Sequence, residues 1–312
     1  MWTTSPPPAA HSWSSSRARR SPRWLRSRRA RRDEDRLKIA GEIVGAEAGP
    51  LEHEIDARWL MAYSAGLGET DPRYFDTAAP GGVMAHPLFP VCYEWPVSRP
   101  IRQIPPLAPV FPRLVHAEHD LVLHRPVRQG DRLTTTAHIA SVESRKPGAF
   151  VVFRFATTDA QGEPVSTTDF GVLYRGVAVE GPDRGEPMKI PASDQPLRPA
   201  GSIEVAANAA HVYTECARIW NPIHTDIAHA RAAGLPGIIL HGTATLALSV
   251  SRLLEGIDPR RVRRVRCRFS GMVLMPSRLE VFAGPEGRDL LFETRKTGGE
   301  AVISRGRIGL DG

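Results

Sequence analysis

Residues 213–241 read YTECARIWNPIHTDIAHARAAGLPGIILH, and Gly242-Thr243 follow. Asn221-Pro222 is turn chemistry and a helix stop, so a helical run beginning near Val212 should close before it. Beyond His241-Gly242, the stretch Leu246 to Leu254 is a long apolar helical run that ends at Gly256, a natural C-cap. Four strand-like segments follow, Val262–Phe269, Ser277–Ala283, Asp289–Thr297 and Ala301–Leu310. Helices followed by a run of strands give an α+β unit with an antiparallel sheet.

The first half of the chain has the same plan. Ile55 to Gly68 places Ile55, Trp59, Met61, Ala62 and Ala65 at helical spacings behind an Asp56 N-cap. Pro80 to Pro112 is too rich in proline to be regular throughout, and reads as a loop. Strands are expected over His116–Leu123, Arg132–Val142, Val151–Thr158 and Val165–Tyr174, bounded by Gln129-Gly130-Asp131, Pro147-Gly148 and Ala160-Gln161-Gly162. At an offset of 150, Tyr63 lands on Tyr213, Asp71 on Asn221, Pro72 on Pro222 and Asp76 on Asp226; at 155, His86 lands on His241. Tyr74 falls on His224 and Glu69 on Ile219. The chain therefore reads as a repeated unit with one altered copy. Domain bounds follow: a tail over 1–35, a first half over 36–180, a proline-interrupted linker over 181–199 and a second half over 200–312.

Composition narrows the function. The 312 residues are 41% hydrophobic and 24% charged, ordinary globular material. The formal charge is +7, but residues 1–32 hold nine Arg and no acid, so the rest carries 7 − 9 = −2. No global basic field remains to attract nucleic acid. The tail is Pro-, Ser- and Arg-rich with few large apolar residues, and is expected to be disordered, an extension outside the working domain. Cys92, Cys216 and Cys267 are odd in number and have no C-x-x-C spacing, which fits reduced thiols in the cytoplasm. No apolar run approaches the ~20 residues of a membrane span.

The pattern Tyr213, Asn221-Pro222-Ile223-His224, His241-Gly242 resembles that of the MaoC-like (R)-specific enoyl-CoA hydratases and dehydratases. H-R-P-V-R-Q-G-D (His124 to Asp131), the K-P-G at Lys146 to Gly148 and the Y-R-G ending at Gly176 resemble the amino-terminal dehydratase-like halves of fused members. The resemblance implies a double hot-dog fold, two antiparallel sheets each wrapping a central helix, with a degenerate first half. It implies reversible hydration of enoyl-CoA to 3-hydroxyacyl-CoA, a hydro-lyase activity without cofactor or metal. His224 would be the acid/base residue, Asn221 its support and Gly242 the oxyanion donor, with Tyr213, Trp220 and His241 lining the substrate site. In the family an Asp stands two residues before the Asn; here that residue is Ile219. Glu215 and Asp226 are the nearest replacements in sequence. Three readings stay open: a hydratase, a non-catalytic acyl-thioester-binding or partner subunit, and a hot-dog thioesterase. The expected partners are an acyl-CoA and, for assembly, a second copy (homodimer) or another subunit (hetero-oligomer), with no nucleic acid and no membrane. His116, His119, His124, His211 and His229 read as structural or exposed, and Cys216 as core packing.

Overall fold

A computed structural model describes residues 37–311. The Arg-rich tail lies outside the described residues. The first half runs β1 (Lys38–Ala40), β2 (Glu47–Glu54), α1 (Ala57–Gly66), α2 (Pro90–Ile101), β3 (Leu114–Leu123), β4 (Arg132–Arg145), β5 (Gly148–Asp159) and β6 (Pro164–Arg175). Short strands β7 (Ala178–Glu180) and β8 (Arg184–Gly185) follow, pairing with β1 and β4. The second half runs β9 (Arg198–Val205), α3 (Ala209–Ala217), α4 (Ile227–Ala232), α5 (Gly242–Leu253), β10 (Val262–Phe269), β11 (Ser277–Glu286), β12 (Asp289–Lys296) and β13 (Ala301–Leu310).

The main path of the large sheet is β2-β4-β5-β6-β3-β10-β13-β12-β11-β9. Read from either edge, the order is the same, so two five-stranded antiparallel halves join through β3 and β10. At the seam Leu121 lies opposite Val265 and His119 opposite Cys267. Arg264 on β10 holds Asp120 of β3 with both ends of its fork, at 2.7 and 2.6 Å. Such bidentate geometry fixes register as well as adding energy.

The offset of 150 is visible in space. α1 packs against α3, and the matched residues Tyr63 and Tyr213 face each other with ring centroids 5.8 Å apart. A Cβ on Gly66 would stand 2.8 Å from the Cβ of its match, Cys216. Equivalent residues meet in this way only beside a twofold axis. The turns after these helices repeat as well: Pro72–Tyr74 is capped by Asp71 and Pro222–His224 by Asn221, each side chain accepting from a backbone N–H two residues on. In both, the next Asp donates its N–H to the proline carbonyl at 2.8 Å.

One core joins the halves. Tyr63, Phe89 and Tyr93 from the first share a buried cluster with Tyr213, Ile219 and Leu246 from the second. A smaller cluster around Val97, Ile101, Phe153 and Tyr174 belongs to the first half. No described helix is long and apolar enough to cross a membrane.

The expected loop over Pro80 to Pro112 is corrected: it contains α2, the first half's central helix, despite internal Pro96 and Pro100. Proline inside a helix removes a hydrogen bond and crowds the preceding turn, at roughly 3 kcal/mol. α2 buries Val91, Cys92, Tyr93, Val97 and Ile101, each worth roughly 1.5–3 kcal/mol if apolar and large. Burial wins. Strands β2 and β9 are also additions to the expected elements. They are the sheet's two edges, and β2 is mostly exposed, so it lacks the alternation that marks a half-buried strand. The segment 181–199 carries β8 and the first residues of β9.

The α1–α3 approach can be tested. Gly66→Ala gains helix propensity, up to about 1 kcal/mol, but its methyl meets a Cβ that cannot rotate away. Overpacking costs about 1–3 kcal/mol, so the variant should be net destabilised in urea unfolding. An unchanged or higher midpoint would show that the two helices are not in this contact.

Candidate active site

α3 ends because Arg218 takes a left-handed conformation at its C-cap (φ 57°). Arg218 is held there by the Trp59 ring at 4.2 Å and Asp56 at 3.6 Å, both from the first half. The turn sends Ile219 inward, 4% exposed, and Trp220 outward, 56% exposed. Asn221 then caps the turn carrying His224.

His224 is buried, and its Nδ1 lies 2.7 Å from the Ile239 carbonyl. A carbonyl can only accept, so Nδ1 carries the proton and Nε2 presents its lone pair. The loop supplying that carbonyl is itself fixed, since Leu240 N–H donates to Val273 O at 2.8 Å. His224 stacks on His241, the N-cap of α5, with centroids 3.7 Å apart and planes at 25°. Tyr213 lies 5.0 Å from His241 and donates its hydroxyl to Thr243 at 3.1 Å. Thr214 Oγ1 is 3.4 Å from His241 Nε2, while His241 Nδ1 is buried without a partner among the described residues.

Gly242 is the first residue of α5, and a Cβ there would lie 3.3 Å from the Phe269 ring. The bare helix start leaves its amides and positive dipole end available to an oxygen carrying developing charge.

Burial sets the electrostatics. It pushes the His224 pKa down to about 4, opposed by the hydrogen bond to Ile239. His241 is held well below its ordinary value by burial and then by His224. Both rings are neutral at pH 7.

Of the expected site residues, His224, His241, Gly242 and Tyr213 come together, and Asn221 supports them through the turn. Trp220 stands apart on the surface. Neither replacement carboxylate reaches the site: Glu215 is exposed on α3, and Asp226 caps α4 by accepting from Ala228 and His229 N–H at 2.8 and 3.0 Å. Glu69 lies 3.8 Å from His86, in the first half's twin of the site. Among the described residues, no carboxylate hydrogen-bonds His224. Thr214, Thr243, the Ile239 carbonyl and Phe269 are additions. Thr243 adjoins the His-Gly pair and could have been suspected, whereas Phe269 comes from a distant strand with no sequence signal. Among the described residues, no group of three His, Cys, Asp or Glu could hold a metal ion.

Comparison with known proteins agrees with this architecture. Residues 42–168 match the FAS1-like, dehydratase domain region, and residues 190–305 match the MaoC like domain. A "UPF0336 protein" of Saccharopolyspora erythraea is 33% identical over 148 residues, 46% of this chain and 95% of that protein. Peroxisomal multifunctional enzyme type 2 of Mus musculus is 26% identical over 217 residues, 67% of this chain but 29% of the enzyme, so the chain spans under a third of that relative. Enoyl-CoA hydratase ChsH3 of Mycobacterium tuberculosis is 22% identical over 257 residues, 80% of this chain and 90% of that protein. The crystal structure of a MaoC-like dehydratase from Phytophthora capsici superposes with a TM-score of 0.75 at 22% identity, covering 86% of this chain and 96% of that one. That last likeness is one of fold. The chain belongs to the MaoC-like hydratase/dehydratase family, in its double hot-dog form with a dehydratase-like first half.

Among the described residues, five imidazoles, four of them buried and His116 half-buried, are held in the neutral state. Burial holds His86 at about 3, His119 and His224 at about 4, and His116 and His241 well below their ordinary value. In the unfolded chain each takes a proton near pH 6.5. The unfolded state therefore binds more protons below that pH, and stability, complete above about 6.5, is lost as the pH falls toward 4. Melting temperature should decline steadily from about pH 6.5 downward. A flat profile to pH 5 would contradict neutral burial of these rings.

Proposed function

We propose that the chain catalyses the reversible addition of water to trans-2-enoyl-CoA thioesters. The observation carrying this reading is His224 with Nδ1–H tied to Ile239 and Nε2 left as a base, beside the open N-terminus of α5 at Gly242. Hydratase activity is what the name of the Mycobacterium tuberculosis relative states for that protein. In the forward direction the water oxygen bonds to C3 while one of its protons passes to Nε2. The electron pair of the double bond moves onto the thioester oxygen, where the Gly242 N–H and the α5 dipole stabilise it. The imidazolium then returns the proton to C2, so H and OH have been added and His224 is neutral again.

The same proton makes both journeys, so one base suffices where the family pattern has two acid/base groups. Ile219 contributes packing instead. Unpaired in that apolar setting, a carboxyl would cost roughly 2–7 kcal/mol and take up a proton. Asn221 positions His224, and Tyr213 and His241 form the wall behind it. Residues 200–312 supply these groups, and residues 36–180 supply the covering half. The three unpaired cysteines suit a reducing, cytoplasmic setting. The loss of the second acid/base group at Ile219 favours one other reading, an acyl-thioester-binding partner subunit.

Crotonyl-CoA distinguishes them. The hydratase reading expects reversible loss of enoyl absorbance without free thiol, and a fall of roughly 10²–10⁴-fold in kcat for His224→Ala. Binding of crotonyl-CoA should stay nearly unchanged in that variant. Binding without turnover would instead support the partner subunit, and release of free CoA a thioesterase.

A further inference from the structure

Arg102, the C-cap residue of α2, is only 4% exposed, yet no carboxylate pairs with it among the described residues. Its Nε and Nη2 donate to the carbonyl and hydroxyl of Ser98 at 2.9 and 2.8 Å. The Trp95 and Phe170 rings lie 4.9 and 5.5 Å from its guanidinium carbon. Nη1 makes no hydrogen bond among the described residues, so the outer edge of the fork is unused. The fold does not require a cation there, because the twin helix α5 ends on Leu254 at its own C-cap.

Other unpartnered polar groups gather around it. His116 Nε2, both nitrogens of His119 and the Tyr174 hydroxyl are buried without partners among the described residues. His116 stacks on Phe170 with centroids 3.7 Å apart, and His119 lies 5.4 Å from His116. Arg102 and His116 both lie against the Phe170 ring, and Tyr174 and Arg102 perturb each other's titration. Arg102 has donors only, whereas each neutral imidazole and the phenol has one donor that it can turn toward an anion and one acceptor. Among the described residues, no anion meets the free edge of Arg102.

It is also close to the candidate active site. His116 lies 4.5 Å from Phe269, whose ring is 3.3 Å from the Cβ position of Gly242. Phe269 separates the start of α5 from His116, and Phe170 lies between His116 and Arg102. We infer that Arg102, with His116 and His119, receives a carboxylate at the far end of the acyl chain, so that the substrates are CoA monothioesters of unsaturated dicarboxylic acids. The inference rests on the hydratase reading for the position of the thioester at Gly242. The planar fork matches a carboxylate bidentately, whereas a methyl-ended chain would leave the free edge of Arg102 unpaired.

Saturated thioesters test recognition separately from chemistry, since they cannot be hydrated. Calorimetric titration of the full chain would compare succinyl-, glutaryl-, adipyl- and suberyl-CoA with butyryl-, valeryl-, hexanoyl- and octanoyl-CoA. At the chain length that reaches Arg102, the carboxylate-ended member should bind roughly tenfold tighter or better. Arg102→Met should reduce that advantage to about twofold or less, with the methyl-ended partner unaffected. Equal affinities in every wild-type pair, or an advantage that survives Arg102→Met, would overturn the assignment. If Arg102→Met does not fold, His116→Phe serves: a diminished advantage supports the site and an undiminished one removes it. Failure to hydrate both crotonyl-CoA and carboxylate-ended 2-enoyl-CoA thioesters would count against the hydratase reading alone.

Discussion

The antiparallel pairing of β3 with β10 is the constraint on which the rest of the molecule depends. It turns two five-stranded halves into one sheet whose main path ends at β2 and β9. It also brings α1 and α3 into contact, so that Arg218 at the end of α3 is gripped by Trp59 and Asp56 of the other half. That grip sets where α3 stops, and with it the inward turn that buries His224. The geometry of the second half's site is thus built partly by the first half.

The fused repeat also allows the two copies to diverge. Beside the axis both keep the tyrosine, the capped proline turn and a buried histidine before the central helix. Away from it they differ in complementary ways. The first half retains an acid, Glu69, but has Tyr74 in place of the imidazole; the second retains His224 but has Ile219 in place of the acid. Glu69 spends its proximity on His86, so the retained acid and the retained imidazole belong to different pockets. In the second pocket the apolar surroundings that suit Ile219 also desolvate His224 and keep it neutral.

Much of this was legible in the sequence because it is written locally. The Asn221-Pro222 turn, the His-Gly start of α5 and the strands with turn residues at both ends declare themselves through short-range chemistry, and β10 and β13 begin and end where expected. The offset of 150 was legible too, as a spacing, but that Tyr63 faces Tyr213 and Gly66 faces Cys216 depends on packing. What sequence could not show was decided at long range. α2 overrides two prolines through burial against strands far along the chain. β2 and β9 are strands because a neighbour offers a free edge. The site's Phe269 and the unpartnered fork of Arg102 have no local signature, since what distinguishes them is what lies, or fails to lie, across from them.

In the proposed reaction one imidazole, held neutral by burial, works without a carboxylate. The pH dependence of kcat/KM for crotonyl-CoA hydration tests this directly, because it reports the ionisations of the free enzyme. Rates should be taken in brief pH-jump assays, before acid unfolding intervenes. A single acid limb is expected near pH 4, where His224 takes up its proton, with the rate flat above it to about pH 8. A limb near 6.5, the ordinary histidine value, or a bell with two ionisations inside that range, would contradict it.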